Sequence, residues 1–399
     1  MQTTTDKAQQ IMNDCDTYVM NTYSRSPVAI VKGENARCTG ANGEGYIDFT
    51  AGIGVNSLGF CDSEWAQAVA QQAATLNHTS NLYYTQPCTE LAKRLSEITG
   101  LARTFFSNSG AEANEGLIKL ARKKSFDKYG KGRSRIIALE NSFHGRTIST
   151  LAATGQDTFH NYFFPFTEGF SFAEANKLDS LKSMWGDDVC GVLLEVVQGE
   201  GGIIPLDPSY VKAVEALCRE KDAAFMIDEV QSGIGRTGSF FAYEQYGVSP
   251  DAVSFAKGIG GGLPLAGFMT NEGYAAVLIP GTHATTFGGN PIVCAGALVV
   301  TRRVSDPAFL AEVTAKGEYI KKRLLTMPHV TDVSGLGMMI GISLSCEASA
   351  AQLARVCGEN GLLILTAKAK LRMLPPLTIP YGDIDAGLAI LEGVLQSAM

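Results

Sequence analysis

The sequence lacks the features that mark membrane proteins and nucleic-acid-binding proteins. No apolar run approaches the length needed to cross a bilayer, and residues 1–16 are polar, without the apolar segment of a signal peptide. The formal net charge is -7, and the basic residues form no stripe that could neutralise a row of phosphates. We therefore expect a cytoplasmic protein that binds neither a membrane nor a nucleic acid.

The cysteines show no pattern of metal ligands or disulfides. Nine of them are scattered from Cys15 to Cys357, with no CxxC pair and no Cys/His cluster at metal-ligand spacing. No glycine fingerprint of a dinucleotide site opens a strand-to-helix turn either, which argues against a nicotinamide oxidoreductase. We expect reduced thiols and no bound metal.

What the sequence does contain is a regular alternation of strand-like and helix-like segments. With 399 residues, 45% of them hydrophobic, the chain can bury a large core and is long enough for two domains. The alternation predicts an α/β fold whose mainly parallel sheet is covered by helices on both faces. The predicted strands of that sheet are residues 103–106, 135–140, 190–196, 223–228, 252–256 and 266–269. Amphipathic patterns predict helices at residues 62–77, 87–99, 290–304 and 310–327.

Lys257 lies where an apolar strand-like run, residues 252–256, meets a glycine-rich stretch, residues 258–262. Burial at such a strand end disfavours the charged form of a lysine, so the neutral amine that attacks carbonyls becomes accessible. The alternative is a surface lysine before a flexible loop. The position of Lys257 at a strand end therefore indicates an amine available for covalent chemistry.

Asp228 ends the strand-like segment AAFMID, residues 223–228, and precedes Lys257 by 29 residues. In parallel sheets, ligands bind beyond the carboxyl ends of the strands. A lysine amine and a carboxylate at that edge meet the requirement of pyridoxal phosphate (PLP), which needs an amine for its carbonyl and an acidic partner for its ring nitrogen. A turn cap is the alternative role for Asp228.

The stretch SNSGAEAN, residues 107–114, follows a predicted strand and opens a long helix. Backbone N–H groups and the helix dipole make such a turn an anion site, and Ser109, Gly110 and Ala111 are small enough to admit a phosphate. The stretch fits neither GxGxxG nor GxxxxGK[ST], so a nucleotide is not implied. A capped helix without a ligand is the alternative.

Several linked segments together resemble the class III aminotransferases of PLP fold type I, and among these most closely the acetylornithine aminotransferases. The resemblance covers nearly the full chain. It implies a large domain, residues 57–289, with a mainly parallel seven-stranded sheet between helices, and a smaller α+β domain formed by residues 1–56 and 290–399. The segments are NTYSRSPVAIVKGE (21–34), AGIGVNSLG (51–59), NLYYTQP (81–87), SNSGAEANE (107–115), FHGRT (143–147), QGEGG (198–202), DEVQ (228–231), FAKGIGGGLPLAG (255–267) and TTFGGNP (285–291).

The resemblance implies how the cofactor ring is held. Lys257 would bind PLP covalently, Asp228 would pair with the ring nitrogen, and Gln231 would contact the ring hydroxyl. Phe143 would stack on the ring face, in the offset manner that aromatic rings prefer. Lys257 and Asp228 are the implied catalytic residues.

The cofactor phosphate would lie on Gly110 and Ala111, with Ser109 beside them. The hydroxyl of Thr286 would also contact this phosphate, and in this family the corresponding hydroxyl comes from the partner subunit. The resemblance therefore implies a homodimer with shared active sites.

For the substrates, the resemblance implies that Arg146 binds a substrate carboxylate, as the paired donors of a guanidinium allow. Glu200 would pair with Arg372 while the amino donor is bound, and would then release it to hold the α-carboxylate of glutamate. Thr285 would touch the acylated substrate, and Glu195 would support the cofactor. His144 and His283 would have packing or hydrogen-bonding roles, because the lysine moves the proton.

The implied reaction moves the terminal amino group of N2-acetylornithine, or a similar acylated diamino acid, to 2-oxoglutarate, as in arginine biosynthesis. Ornithine, succinylornithine, acetyl-lysine and 4-aminobutyrate remain alternative substrates. The run 52–56 lacks the tyrosine that ornithine enzymes tend to place here, which favours an acylated substrate. An aminomutase or decarboxylase is disfavoured by Glu200 with Arg372, and a catalytically silent binding relative by the presence of Lys257 and Asp228.

Overall fold

The computed structural model describes residues 4–398. Its helices are α1 (Thr4–Tyr18), α2 (Ala51–Gly54), α3 (Ser63–Thr75), α4 (Gln86–Thr99), α5 (Gly110–Tyr129), α6 (Ile148–Ala152), α7 (Leu178–Ser183), α8 (Pro208–Glu220), α9 (Pro291–Val304), α10 (Pro307–Leu324), α11 (Ala350–Glu359) and α12 (Tyr381–Gln396). Its strands are β1 (Ile30–Glu34), β2 (Arg37–Gly40), β3 (Gly45–Asp48), β4 (Arg103–Ser107), β5 (Arg135–Leu139), β6 (Phe170–Ala173), β7 (Val189–Leu194), β8 (Val197–Gln198), β9 (Ile204–Pro205), β10 (Ala224–Asp228), β11 (Ala252–Phe255), β12 (Ala266–Thr270), β13 (Val330–Leu336), β14 (Met339–Leu344), β15 (Leu362–Leu363), β16 (Leu365–Ala367) and β17 (Lys370–Met373).

A seven-stranded sheet forms the centre of the larger part of the molecule, in the order β4-β12-β11-β10-β7-β5-β6. Only β12 runs antiparallel to its neighbours, β11 and β4. The prediction of a mainly parallel α/β sheet is therefore confirmed. The seventh strand, β6, was absent from the six predicted strands because it is a short edge strand of sequence FSFA, too brief for its pattern to stand out.

Helices cover both faces of this sheet. Successive residues of a strand point to opposite faces, and Ile136 and Ile137 of β5 accordingly belong to two separate apolar clusters. Residues of α5 complete one cluster, and residues of α8 complete the other. Burial on both faces explains why the strands read as continuous apolar runs rather than as alternating ones.

Two four-stranded sheets lie in the terminal segments, in the orders β1-β2-β3-β15 and β13-β14-β17-β16. Strand β15, near the C-terminus, pairs in parallel with β3, near the N-terminus. Strand pairing thus joins the two ends of the chain, as the predicted small domain requires, although the boundaries at residues 56 and 289 stay a prediction.

The start of one predicted helix differs from the structure by three residues. The helix expected at residues 310–327 is α10. That helix begins at Pro307 because Asp306 caps it by accepting a hydrogen bond from the amide of Ala308 at 2.8 Å. Within residues 4–398, no helix is both long enough and apolar enough to span a bilayer.

Candidate active site

The site lies at the edge of the central sheet where β4, β5, β7, β10 and β11 end. A cavity of about 430 Å³ opens there. Eight of the twelve predicted site residues line it, namely Ser109, Gly110, Ala111, Phe143, Arg146, Asp228, Gln231 and Lys257. The parallel strands bring together residues far apart in sequence, because their carboxyl ends share one edge.

Lys257 follows β11 directly and begins a short 3-10 turn, Lys257–Gly260. Its φ is 49°, in the left-handed region that costs a non-glycine residue about 1 kcal/mol or more. Burial lowers the pKa of Lys257, and the nearby carboxylate of Glu200 offsets part of that effect. The lysine therefore has the depressed pKa that a nucleophilic amine requires.

Asp228 is buried at the end of β10, which pairs in parallel with β11. Its Oδ2 accepts hydrogen bonds from Asn114 Nδ2 at 2.7 Å and, with that nitrogen assigned as protonated, from His144 Nδ1 at 2.8 Å. Its Oδ1 accepts from the amide of Val230 at 2.9 Å. These hydrogen bonds fix the position of the carboxyl group that would pair with the ring nitrogen.

Asn114 is a site residue that the sequence reasoning missed. It is buried in α5, and besides Asp228 its Nδ2 donates to the carbonyl oxygen of His144 at 2.8 Å. Asparagine is unfavourable inside a helix, which was the available signal. His144, expected to have a packing or hydrogen-bonding role, lies in the same network.

The turn before α5 fits a phosphate. Ser109 caps the helix by accepting from the amide of Glu112 at 3.3 Å, which leaves the amides of Gly110 and Ala111 without a partner among residues 4–398. A Cβ on Gly110 would lie 2.7 Å from Val230 Cγ1, so the close packing requires glycine. Two open amides at a helix N-terminus are the donors expected for a phosphate.

Glu200, Gln231 and Arg372 form a second polar group beside Lys257. Arg372 Nη1 donates to Glu200 Oε1, and Gln231 Nε2 donates to the same oxygen at 3.2 Å. Burial raises the pKa of Glu200, but the charge and hydrogen bond of Arg372 outweigh it, so the net pKa is lowered. The predicted pair is thus present, and Gln231 contacts it as well as lining the cavity.

Arg146 and Phe143 lie together on the loop after β5. The Arg146 guanidinium is 5.6 Å from the Phe143 ring centroid, and Phe143 donates its amide to Glu195 Oε2 at 3.0 Å. Glu195 Oε1 accepts from the amide of Gly199 at 3.1 Å, and burial raises the pKa of this carboxyl to about 7. Glu195, which also lines the cavity, therefore joins the loop that carries Phe143 to the segment at Gly199.

Thr285 and Thr286 lie outside the cavity of their own chain. Thr285 Oγ1 accepts from Asn108 Nδ2 at 3.4 Å, next to the phosphate turn. Both threonines line a separate surface pocket with Ser80 and Asn81. A single chain therefore does not bring Thr286 to its own phosphate turn.

The fold and the site together define a PLP-dependent enzyme of fold type I. The residues at the cavity fit the cofactor, with open amides for its phosphate, a paired carboxylate for its ring nitrogen and an amine of lowered pKa for its carbonyl. More narrowly, the chain belongs to the class III aminotransferases: the family model described as aminotransferase class-III matches residues 18–395.

Individual relatives agree with this assignment. The chain is 50% identical over 380 residues to the acetylornithine aminotransferase of Haemophilus ducreyi, covering 95% of this chain and 96% of that protein. The N-acetylornithine aminotransferase structure from Stenotrophomonas maltophilia is 31% identical, with a TM-score of 0.84 over 97% of this chain and 98% of that one. The ornithine aminotransferase structure from Toxoplasma gondii is 28% identical, with a TM-score of 0.93 over 98% and 95%.

Proposed function

We propose that the protein transfers the terminal amino group of N2-acetylornithine, or of a similar acylated diamino acid, to 2-oxoglutarate. The products are the corresponding semialdehyde and glutamate, and the reaction belongs to arginine biosynthesis. The observation that carries this proposal is a site with two arginines of different availability. Arg146 is free of polar partners within residues 4–398, whereas Arg372 is paired with Glu200.

This difference suits two substrates that carry different numbers of carboxylates. Acetylornithine has one carboxylate, which Arg146 can bind while Glu200 keeps Arg372 neutralised. Glutamate has two, so Glu200 must release Arg372 to bind the second one. A buried arginine left without its partner would cost several kcal/mol, which explains why the pair forms whenever the second carboxylate is absent.

When bound, PLP supplies a carbonyl that holds the substrate amine covalently and a ring that accepts the electron pair of the adjacent C–H bond. With cofactor and substrate bound, Lys257 Nζ would take the proton from that carbon and would return it on the cofactor side. Asp228 would pair with the protonated ring nitrogen. Phe143 would stack on the ring, and the open amides of the phosphate turn would hold the phosphate.

Ornithine is the first alternative substrate to compare with acetylornithine. The Toxoplasma ornithine aminotransferase has the higher TM-score, but likeness of fold does not decide a substrate. Residues 52–56, GIGVN, offer no tyrosine to hold the free α-amine of ornithine, and the 50% identical relative is an acetylornithine aminotransferase. Succinylornithine, acetyl-lysine and 4-aminobutyrate are the remaining candidates. A catalytically silent relative would be expected to have lost Lys257 or Asp228.

We also propose that the enzyme works as a homodimer in the cytoplasm, with Thr286 of one subunit completing the phosphate site of the other. The position of Thr286 away from its own cavity supports this arrangement. So do three large side chains near that surface pocket, Leu82, Tyr83 and Tyr84, which are 87%, 70% and 101% exposed.

A half-reaction panel tests the substrate. The purified yellow protein is mixed with acetylornithine, ornithine, succinylornithine, acetyl-lysine and 4-aminobutyrate separately, and the loss of cofactor absorption is followed at several concentrations. We expect the highest kcat/KM for acetylornithine and recovery of the absorption on adding 2-oxoglutarate. A higher value for ornithine would refute the proposed substrate but not the aminotransferase reaction.

A further inference from the structure

Arg146 is held by aromatic rings rather than by polar groups. Its guanidinium carbon lies 4.1 Å from the ring centroid of Phe159 and 5.6 Å from that of Phe143. Within the part of the chain that the structure describes, Arg146 forms neither a hydrogen bond nor an ion pair. A guanidinium is weakly hydrated and stacks readily on aromatic faces, which leaves its N–H donors free at the edge.

Phe159, the nearer ring, ends a short 3-10 turn, Asp157–Phe159. The amide of Phe159 donates to the carbonyl of Gln156 at 3.0 Å, and Gln156 Nε2 donates to the carbonyl of Ser142 at 2.9 Å. Since Ser142 directly precedes Phe143, the hydrogen bond from Gln156 joins the turn that carries Phe159 to the loop that carries Phe143.

The two rings also contact each other. Phe159 and Phe143 have centroids 5.9 Å apart and an interplanar angle of 73°, the edge-to-face arrangement. Phe159 therefore touches both the ring that would stack on the cofactor and the arginine that would bind the substrate carboxylate. Its position fixes the distance between those two functions.

We propose that Phe159 is a positioning residue for carboxylate recognition: it holds the Arg146 guanidinium in place with its donors unpaired and directed at the substrate. This inference rests on the proposed function, because it takes Arg146 as the carboxylate-binding residue. An arginine restrained by a ring loses less side-chain freedom on binding than one that moves in solvent. Because the ring carries no negative charge, the substrate carboxylate has no anion to displace from Arg146.

The test measures binding without reaction. N-acetylnorvaline has the acetyl group and α-carboxylate of acetylornithine but no terminal amine, so it binds without reacting. Calorimetry on the cofactor-loaded protein should show that Phe159→Leu weakens its binding by about 2- to 5-fold, the range of a cation–π contact at an exposed arginine such as Arg146. Phe159→Tyr keeps the ring and should bind as tightly as the wild type.

Two controls separate positioning from packing. The carboxamide of N-acetylnorvaline, which offers Arg146 no anion, should bind Phe159→Leu and the wild type equally. In an Arg146→Ala background, Phe159→Leu should weaken binding of the acid no further, because both changes remove one interaction. Equal losses for acid and amide, or no loss for the acid, would overturn the proposal.

The same measurements distinguish this inference from the proposed function. If the wild type binds N-acetylnorvaline through Arg146 and Phe159 but does not transaminate acetylornithine, the proposed substrate is wrong and the inference stands. If Arg146→Ala binds the acid as tightly as the wild type, or if the wild type does not bind it measurably, the inference is wrong.

Discussion

At the scale of single residues, the protein depends on groups whose surroundings change their ordinary chemistry. Burial lowers the pKa of Lys257, and Glu200 forms an ion pair with the buried Arg372. Asp228 accepts hydrogen bonds from four donors, three of them the side chains of Asn114, His144 and Ser254. Each of these effects arises from neighbours rather than from the residue type.

Lys257→Ala should reduce turnover by about 10⁴-fold or more, because the variant loses the group that moves the proton. Steady-state glutamate formation measures the loss, and some cofactor should remain bound noncovalently at the phosphate turn. Lys322→Ala is the matched control, since Lys322 is an exposed lysine on α10, away from the cavity and from the pocket that Thr286 lines. Substantial activity in Lys257→Ala would refute its assigned role.

At the scale of secondary-structure elements, the site depends on how closely strand ends and helix starts approach each other. The first turn of α5 packs against the segment after β10, where a Cβ on Gly110 would meet Val230 Cγ1 at 2.7 Å. The carboxyl of Glu229 holds the same segment: it accepts from Ser232 Oγ at 2.6 Å and from the amide of Tyr243 at 2.7 Å. These contacts fix the phosphate turn relative to Asp228.

Gly110→Ala should weaken cofactor binding by about 1–3 kcal/mol, the usual cost of overpacking a close contact. Equilibrium dialysis of PLP measures the change. Adding Val230→Ala removes the methyl groups that the new Cβ would meet and should restore most of the affinity. If the double variant binds PLP no better than Gly110→Ala, the contact with Val230 is not the cause.

Glu229 should make folding stability depend on pH. Burial raises the pKa of its carboxyl from 4.5 to about 7, so the folded state favours the protonated form. The stability that this group contributes is fully present below about pH 4.5 and is lost as the pH rises through about 7. Ionisation of the buried group costs about 3 kcal/mol.

Glu229→Gln tests this dependence, because glutamine can still accept from Tyr243 and donate to Ser232 Oγ but cannot ionise. The difference in the free energy of unfolding, variant minus wild type, should rise by about 3 kcal/mol from about pH 4.5 to about pH 8. Denaturant titrations at both pH values measure this. Glu97→Gln, at an exposed carboxyl, is the control and should show no such change; an unchanged difference for Glu229→Gln would contradict the expectation.

At the scale of the whole molecule, the residue proposed to complete the phosphate site lies outside the cavity of its own chain. Thr286 lines a surface pocket apart from the phosphate turn, while large apolar side chains nearby remain exposed. Two subunits would cover these side chains and exchange Thr286 between active sites. The arrangement predicts that neither subunit is active alone.

Subunit complementation tests shared sites. Lys257→Ala and Thr286→Asp should each be nearly inactive, the latter because a carboxylate repels the phosphate. In a hybrid dimer one site would combine the intact Lys257 of one subunit with the intact Thr286 of the other. Co-expression should therefore recover about a quarter of wild-type activity, since half of randomly formed dimers are hybrids with one good site. No recovery, although light scattering shows dimers, would contradict shared sites.

The sequence alone determined the fold class and, through local patterns, indicated Lys257, Asp228 and the phosphate turn: apolar runs alternating with helices, a lysine before glycines, an aspartate at a strand end. The other site residues were implied by the resemblance of several linked segments to a known family. The sequence could not reveal Asn114 or Phe159, whose roles depend on approaches between segments distant in sequence, nor the edge strand β6, whose pattern is too short. Tertiary structure also decided which arginine is paired and which is free, since charge pairing is set by distance in space.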